Sequence, residues 1–108
     1  MKLFNTFGSH PFLPQISEGQ EAQLSVKRID TNEVRSRTAQ GVQSCVTNPE
    51  LSRILSQMLS VNIGQNRPEQ LNVGESCLLA QYEGERIPEG AQTLPVNGRV
   101  NWFLITRK

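Results

Sequence analysis

The sequence contains few residues with nucleophilic, redox or metal-binding chemistry. Its 108 residues include two cysteines, one histidine and no long apolar run. Cys45 and Cys77 lie far apart without a CxxC spacing, and His10 is the one imidazole, so a zinc site is not expected. No cluster of carboxylates or histidines suggests another metal, and we expect neither a metal nor another cofactor. Both cysteines fit reduced thiols in the core of a cytosolic protein.

Membrane segments and blocks of like charge are also lacking. No segment approaches the roughly 20 apolar residues of a membrane helix, and the N-terminal residues do not have the apolar stretch of a secretion signal. We therefore expect an intracellular protein with no membrane partner. The net charge of +1, from 11 basic and 10 acidic residues, argues against a protein that grips long nucleic acid through its phosphates. A short anionic ligand is compatible with this charge balance.

Composition indicates one compact domain that spans residues 1–108. Hydrophobic residues make up 36% of the chain and charged residues 19%, without a repeat, a low-complexity tract or a linker. A domain of this length has little room for a deep pocket inside one subunit. A ligand site at the seam of a dimer is therefore attractive.

The order of apolar patterns and turn residues predicts an α/β fold with a mixed sheet of about five strands and two helices. Strands are expected at 2–7, 22–29, 42–46, 76–82 and 99–106. In the second strand, Leu24, Val26 and Arg28 alternate with polar residues and are expected to form its buried face. The first helix is expected from Thr31, as N-cap, to about Gln40.

The clearest helix start of the chain is at Asn48. Asn48 suits the N-cap and Pro49 suits the first helical position. Apolar residues then recur at helical spacing and predict a helix packed on the sheet, namely Leu51, Ile54, Leu55, Met58 and Leu59. The N-terminus of a capped helix is also suited to bind phosphate, and the Thr47 hydroxyl is suited to add a contact there.

Two arginines and a carboxylate surround the strand that follows this helix. Arg67 and Arg86 are suited to bind phosphate with two parallel hydrogen bonds or to stack on adenine, although solvated surface roles also fit them. Glu89, in the turn RIPEG, fits either a ligand contact to a ribose hydroxyl or a solvated turn residue. Gln81, within an apolar strand, requires a partner in the protein or on a ligand.

Taken in order, these segments resemble the family of viral anti-CRISPR ring nucleases and their uncharacterised relatives. The similar segments are LFNTF, SCVTNPELSRILSQMLSVNIGQNR, GESCLLAQYEGE, RIPEG and VNWFLI. The resemblance implies a two-fold symmetric homodimer that holds a cyclic oligoadenylate, such as cyclic tetra-adenylate, across its seam in the host cytoplasm. The ligand-binding residues that it implies are Gly8, Ser9, Thr47, Asn48, Arg67, Gln81, Arg86 and Glu89.

One position departs from the family pattern. Active members have a histidine at the position of Asn48, which assists attack of a ribose 2′-hydroxyl on the neighbouring phosphate without a metal. An amide cannot exchange a proton near neutral pH, and loss of a general acid or base costs about 10² to 10⁴ in rate. We therefore expect a protein that sequesters the signal. The alternatives are a metal-independent ring nuclease, for which His10 is an outside candidate, and a structural or nucleic-acid-binding viral protein.

Overall fold

The computed structural model describes residues 1–6, 16–67 and 69–108, and within them it contains five strands and two helices. In chain order they are β1 (Lys2–Phe4), β2 (Leu24–Ile29), α1 (Thr31–Thr38), β3 (Gln43–Cys45), α2 (Pro49–Leu59), β4 (Ser76–Glu83) and β5 (Arg99–Arg107). The predicted α/β domain with a mixed sheet of about five strands and two helices is therefore confirmed. The predicted end of the first strand at Phe7, and the candidates Gly8, Ser9 and His10, lie outside the described residues.

The five strands form one mixed sheet in the order β2-β5-β4-β1-β3. β1 pairs in parallel with β3 on one side and with β4 on the other. β5 pairs antiparallel with both β4 and β2. The crossover through α2 carries the chain from β3 past β1 to β4, so the carboxyl ends of β1, β3 and β4 meet at one edge of the sheet.

The two faces of the sheet carry separate apolar clusters. The helices cover one face, where the buried residues are Leu3, Ile29, Val34, Val46, Leu51, Leu55, Leu59, Ile63, Leu78, Ala80 and Trp102. The opposite face has a smaller buried group, which consists of Phe4, Cys45, Leu71, Cys77 and Ile105. Both cysteines are free and buried, as the sequence predicted. Burial raises the pKa of the Cys77 thiol to about 12.

The start of α2 confirms the predicted cap, whereas the start of α1 does not. The Asn48 side chain accepts a hydrogen bond from the Leu51 N–H at 3.0 Å. In α1 the N-cap is Asp30, whose carboxylate accepts a bond from the Glu33 N–H at 2.8 Å. Thr31 is already helical, so its assignment as N-cap was wrong by one residue. α1 also ends at Thr38, two residues before the predicted end.

The predicted buried face of β2 was also wrong. Leu24 is 38% exposed and Val26 is 59% exposed, while Ile29 is 8% exposed. Ile29 shares the face that the helices cover, whereas Leu24, Val26 and Arg28 lie on the opposite face of an edge strand. A period of two residues separates the faces of a strand, but it does not identify the face that the helices cover.

Candidate functional site

The short β1 strand leaves a notch at the edge where the parallel strands end. β1 pairs with β4 through three residues and stops at Phe4, opposite Leu79. β4 continues to Glu83 and keeps its pairing with β5 along that length. Past Phe4, the second half of β4 therefore has no strand beside it on the β1 side, within the residues that the structure describes. Ligands of open α/β sheets commonly bind beyond such strand ends, where connections leave in opposite directions.

A cleft of about 410 Å³ occupies this notch, and we refer to it as the main cleft. Its lining residues come from the end of β1, the start of α2, the end of β4 and the following loop. They are Asn5, Asn48, Glu50, Leu51, Gln81, Tyr82, Arg86, Ile87 and Glu89. Four residues that the sequence analysis singled out, Asn48, Gln81, Arg86 and Glu89, therefore line one cleft.

Two other candidates lie in a separate, more open depression, which we refer to as the side depression. It is lined by Thr47, Gln65, Asn66 and Arg67. Its floor is fixed by Asn66, whose backbone N–H donates to the Val46 carbonyl at 2.8 Å and whose amide donates to the Ser44 carbonyl at 3.0 Å. Thr47 and Asn48 are consecutive, so the loop before α2 borders both cavities. Arg67 lines the side depression and Arg86 lines the main cleft, so the two arginines stand in different cavities.

The side chains of Asn5 and Asn48 accept hydrogen bonds that fix the loop before α2. The Asn5 side-chain oxygen accepts from the Thr47 N–H at 3.0 Å and from the Thr47 hydroxyl at 3.2 Å. The Asn48 side-chain oxygen accepts a hydrogen bond from the Leu51 N–H, and Pro49 has no N–H. The start of α2 therefore presents the exposed Asn48 amide group to the main cleft, rather than a row of free backbone donors.

The loop that carries Arg86 is positioned by Tyr82 and two glycines. The Tyr82 hydroxyl donates a hydrogen bond to the Glu85 carbonyl. At Gly84, where φ is 143°, a Cβ would lie 2.8 Å from the Gly98 Cα and 2.9 Å from the Tyr82 hydroxyl oxygen. Only glycine fits there. The close approach of these residues sets the direction in which the chain leaves β4 toward Arg86.

The formal charges that line the two cavities sum to zero. The main cleft contains one guanidinium, from Arg86, and two carboxylates, from Glu50 and Glu89. The side depression adds the guanidinium of Arg67. Among the residues that the structure describes, no group of three or more His, Cys, Asp or Glu could hold a metal ion. In the same part of the chain no helix is long and apolar enough to cross a membrane.

Sequence reasoning missed part of the main cleft and misjudged Gln81. Asn5, Glu50, Tyr82 and Ile87 were not proposed as site residues, although Asn5 stands in the LFNTF segment that carried the resemblance. Gln81 was expected to require a partner because it stands within an apolar strand, but its side chain is exposed. The reason is that β1 ends before it reaches Gln81, so this part of β4 borders the notch.

Comparison with known proteins supports the fold. No protein-family model matches the chain, and no curated protein matches it. Among solved structures, the B116 protein of Sulfolobus turreted icosahedral virus has a similar fold, with a TM-score of 0.68 over 97% of each chain. The two sequences are 14% identical. At this identity the similarity establishes a shared fold and nothing about the ligand.

Proposed function

We propose that this chain is a viral anti-defence protein that binds and sequesters a cyclic oligonucleotide second messenger, such as cyclic tetra-adenylate, at the interface of a homodimer. The observation that carries the proposal is the main cleft, where Asn48, Arg86 and Glu89 meet at the carboxyl ends of parallel strands. The resemblance of the ordered segments to ring nucleases supplies the ligand class. The similarity in fold to a viral protein is consistent with this origin.

The polar groups of the main cleft suit the parts of a nucleotide. Arg86 is exposed and suited to pair with a phosphate through two parallel hydrogen bonds. Glu89 and Glu50 are suited to accept bonds from ribose hydroxyls, and the Asn48 amide can donate to a phosphate or a base. Two carboxylates beside one arginine disfavour a long polyanion held by charge alone. They favour a ligand that is held by specific hydrogen bonds.

The size of the main cleft supports a site shared by two subunits. A volume of about 410 Å³ lies toward the lower end of the range for small-molecule sites. A ring of four nucleotides would need more surface than one such cleft offers. Two clefts that face each other across a two-fold axis would supply two copies of Arg86 to a ring with the same symmetry.

Sequestration is favoured over cleavage because Asn48 stands where the active ring nucleases that the chain resembles have a histidine, and an amide cannot exchange a proton near neutral pH. Loss of a general acid or base lowers the rate by about 10² to 10⁴. The ring should therefore be released intact.

The test is to incubate the purified protein with a panel of cyclic oligonucleotides, remove unbound ligand, denature the protein by heat and chromatograph what is released. Intact ring retained before heating is the expected result. Shortened linear products would indicate the ring nuclease instead, and retention of no ring would contradict both. The structural or nucleic-acid-binding role would then be favoured.

The variant Arg86→Ala tests the cleft itself. Loss of a charged hydrogen bond costs about 1.5 to 3 kcal/mol, so affinity for the retained ring should fall about ten- to hundredfold. Arg37→Ala is the matched control, because Arg37 pairs with Glu33 on α1 and lines neither cavity. Equal affinity of the two variants would remove Arg86 from the site.

A further inference from the structure

The segment that carries Arg86 is held by few backbone contacts. The pairing of β4 with β5 ends at Glu83, so residues 84–87 lie beyond the sheet. Within the part of the chain that the structure describes, residues 84–87 form no backbone–backbone hydrogen bond. The next such bond along the chain joins the Ala91 N–H to the Pro88 carbonyl at 3.1 Å. The placement of Arg86 therefore depends on side-chain contacts.

The Tyr82 hydroxyl bonds directly to this segment. It donates a hydrogen bond to the carbonyl of Glu85, the residue before Arg86. The Tyr82 ring is half-buried and packs against the apolar cluster that the helices cover, as the Ile87 side chain does. Arg86 therefore lies between a bonded carbonyl on one side and a packed side chain on the other. The substitution Tyr82→Phe would remove the first of these anchors and keep the packing of the ring.

The Arg86 guanidinium has no hydrogen bond or ion pair with any residue that the structure describes. Its side chain is exposed and lines the main cleft. The direction of the guanidinium is consequently set by the backbone at residue 86 rather than by a carboxylate beside it. A movement of the Glu85 carbonyl would therefore move the guanidinium with it.

Two glycines from separate segments enclose the Tyr82 hydroxyl. A Cβ on Gly84 would lie 2.9 Å from the hydroxyl oxygen, and a Cβ on Gly98 would lie 3.0 Å from it. Gly98 ends a turn, in which its N–H donates to the Pro95 carbonyl at 2.8 Å. This glycine lines neither the main cleft nor the side depression. The turn at 95–98 therefore restrains the hydroxyl from outside both cavities.

We infer that Tyr82 is the positioning residue of the proposed site. Its hydroxyl holds the Glu85 carbonyl, which directs the Arg86 guanidinium toward a phosphate of the ring, and Gly98 keeps the hydroxyl in place. A guanidinium that is already directed at the phosphate loses less freedom on binding. The inference rests on the proposed function, which supplies the phosphate. It extends that function by making ligand affinity depend on a turn that does not line the site.

The expected effect of Tyr82→Phe follows from the hydrogen bond that it removes. Without the hydroxyl, a smaller fraction of molecules has Arg86 directed into the main cleft, and the apparent affinity falls with that fraction. Loss of one neutral hydrogen bond shifts such an equilibrium by about two- to tenfold. Affinity for the ring should fall by that factor. Because Tyr82 also lines the main cleft, a direct contact of its hydroxyl with the ring would give a similar loss.

A double-mutant cycle separates these two roles of Tyr82. If Tyr82 acts through Arg86, Tyr82→Phe should lower affinity little further in protein that already carries Arg86→Ala. A direct contact would instead lower affinity by the same factor in both backgrounds. Asn5→Ala is the matched control, because Asn5 fixes the loop before α2 through Thr47 and not the segment after β4. Its effect should be equal in the two backgrounds.

Gly98→Ala tests the same contact from outside the main cleft. Its Cβ would lie 3.0 Å from the Tyr82 hydroxyl oxygen and 3.0 Å from the Pro95 carbonyl oxygen, closer than ordinary van der Waals contact. The hydroxyl would have to move, so ring binding should weaken where Arg86 is present and change little in Arg86→Ala protein. Gly64→Ala is the matched control, because Gly64 also lacks a positive φ and a Cβ there would meet no neighbouring atom within 4 Å.

The measurement is equilibrium binding of the ring that the wild type retains, with circular dichroism and urea unfolding to establish that each variant is folded. A wild type that retains no ring would overturn the proposed function and this inference with it. The positioning role alone would be overturned if the wild type retains a ring and Tyr82→Phe binds it equally well. It would also be overturned if Tyr82→Phe lowers affinity by the same factor with and without Arg86.

Discussion

Asn48 has two separable roles, and substituting it tests both. The first role is structural, because its side-chain oxygen accepts the Leu51 N–H at 3.0 Å. Replacing an Asn N-cap by alanine costs about 0.5 to 2 kcal/mol. Leu51 is 4% exposed and belongs to the core beneath the helices, so fraying of the first turn of α2 would also expose apolar surface. We expect Asn48→Ala to lose about 1 to 2 kcal/mol of unfolding free energy.

Asn48→Asp separates the cap from the ligand contact. The aspartate keeps the accepting oxygen, and its charge at the start of α2 interacts favourably with the helix dipole by about 0.3 to 1 kcal/mol. The neighbouring carboxylate of Glu50 offsets part of that gain. The stability of Asn48→Asp should therefore lie within about 0.5 kcal/mol of the wild type. Binding of an anionic ring should weaken by about tenfold or more, because the substitution adds a third carboxylate to the main cleft, beside the phosphate.

Urea denaturation followed by circular dichroism measures the stability of each variant, and equilibrium binding to the retained ring measures its affinity. A loss of about 1 kcal/mol corresponds to a fall of roughly 4 °C or more in melting temperature for a domain of this size. The reasoning about the cap would be refuted if Asn48→Ala unfolded at the wild-type urea concentration. The reasoning about the phosphate would be refuted if Asn48→Asp bound the ring as tightly as the wild type.

Two further predictions concern stability and titration. Ser60 caps the end of α2 in the left-handed region, with φ of 56°. Ser60→Gly should therefore raise the free energy of unfolding by about 0.5 to 1 kcal/mol, whereas Ser36→Gly within α1 should lower it by a similar amount. Denaturation curves in which both variants change stability in the same direction would contradict this prediction. Hydrogen bonds from Arg99 and then Asn101 lower the pKa of Glu83 to about 2, so Arg99→Ala should raise that pKa toward 4.5 in an NMR titration. Because the pKa of Glu83 is lower in the folded protein, the contribution of this pair to stability is present above about pH 4.5 and is lost as pH falls through about 2. An Arg99→Ala variant in which the Glu83 titration midpoint is unchanged would argue against the pairing.

Local signals in the sequence predicted α2 and β4 well. The Asn48 cap, Pro49 and the apolar stripe lie within a few turns of each other, so short-range chemistry specifies this helix. The assignment of β2 failed at its faces, although its existence was predicted correctly. Which face of an edge strand is covered depends on where α1 and α2 pack, and that placement is set by contacts far along the chain.

Several residues of the main cleft could be proposed one by one from the sequence, but the sequence could not predict that they line one cleft. Asn5 and Gln81 are brought to one notch by the parallel pairing of Phe4 with Leu79. That pairing joins segments that lie far apart in the sequence, so no local pattern predicts it. For the same reason, Arg67 and Arg86 were expected to serve one site, whereas they line different cavities.

The length of β1 links the fold to the site. If β1 continued past Phe4 along β4, its backbone would fill the space where the main cleft lies, and Gln81 would be covered. Because β1 stops after three paired residues, Asn5 turns out of the sheet and bonds to Thr47 instead. That bond fixes the loop before α2, which borders both the main cleft and the side depression. A ligand that spans Arg86 and Arg67 must therefore pass over this loop, so Asn5→Ala should weaken its binding without removing any charged contact.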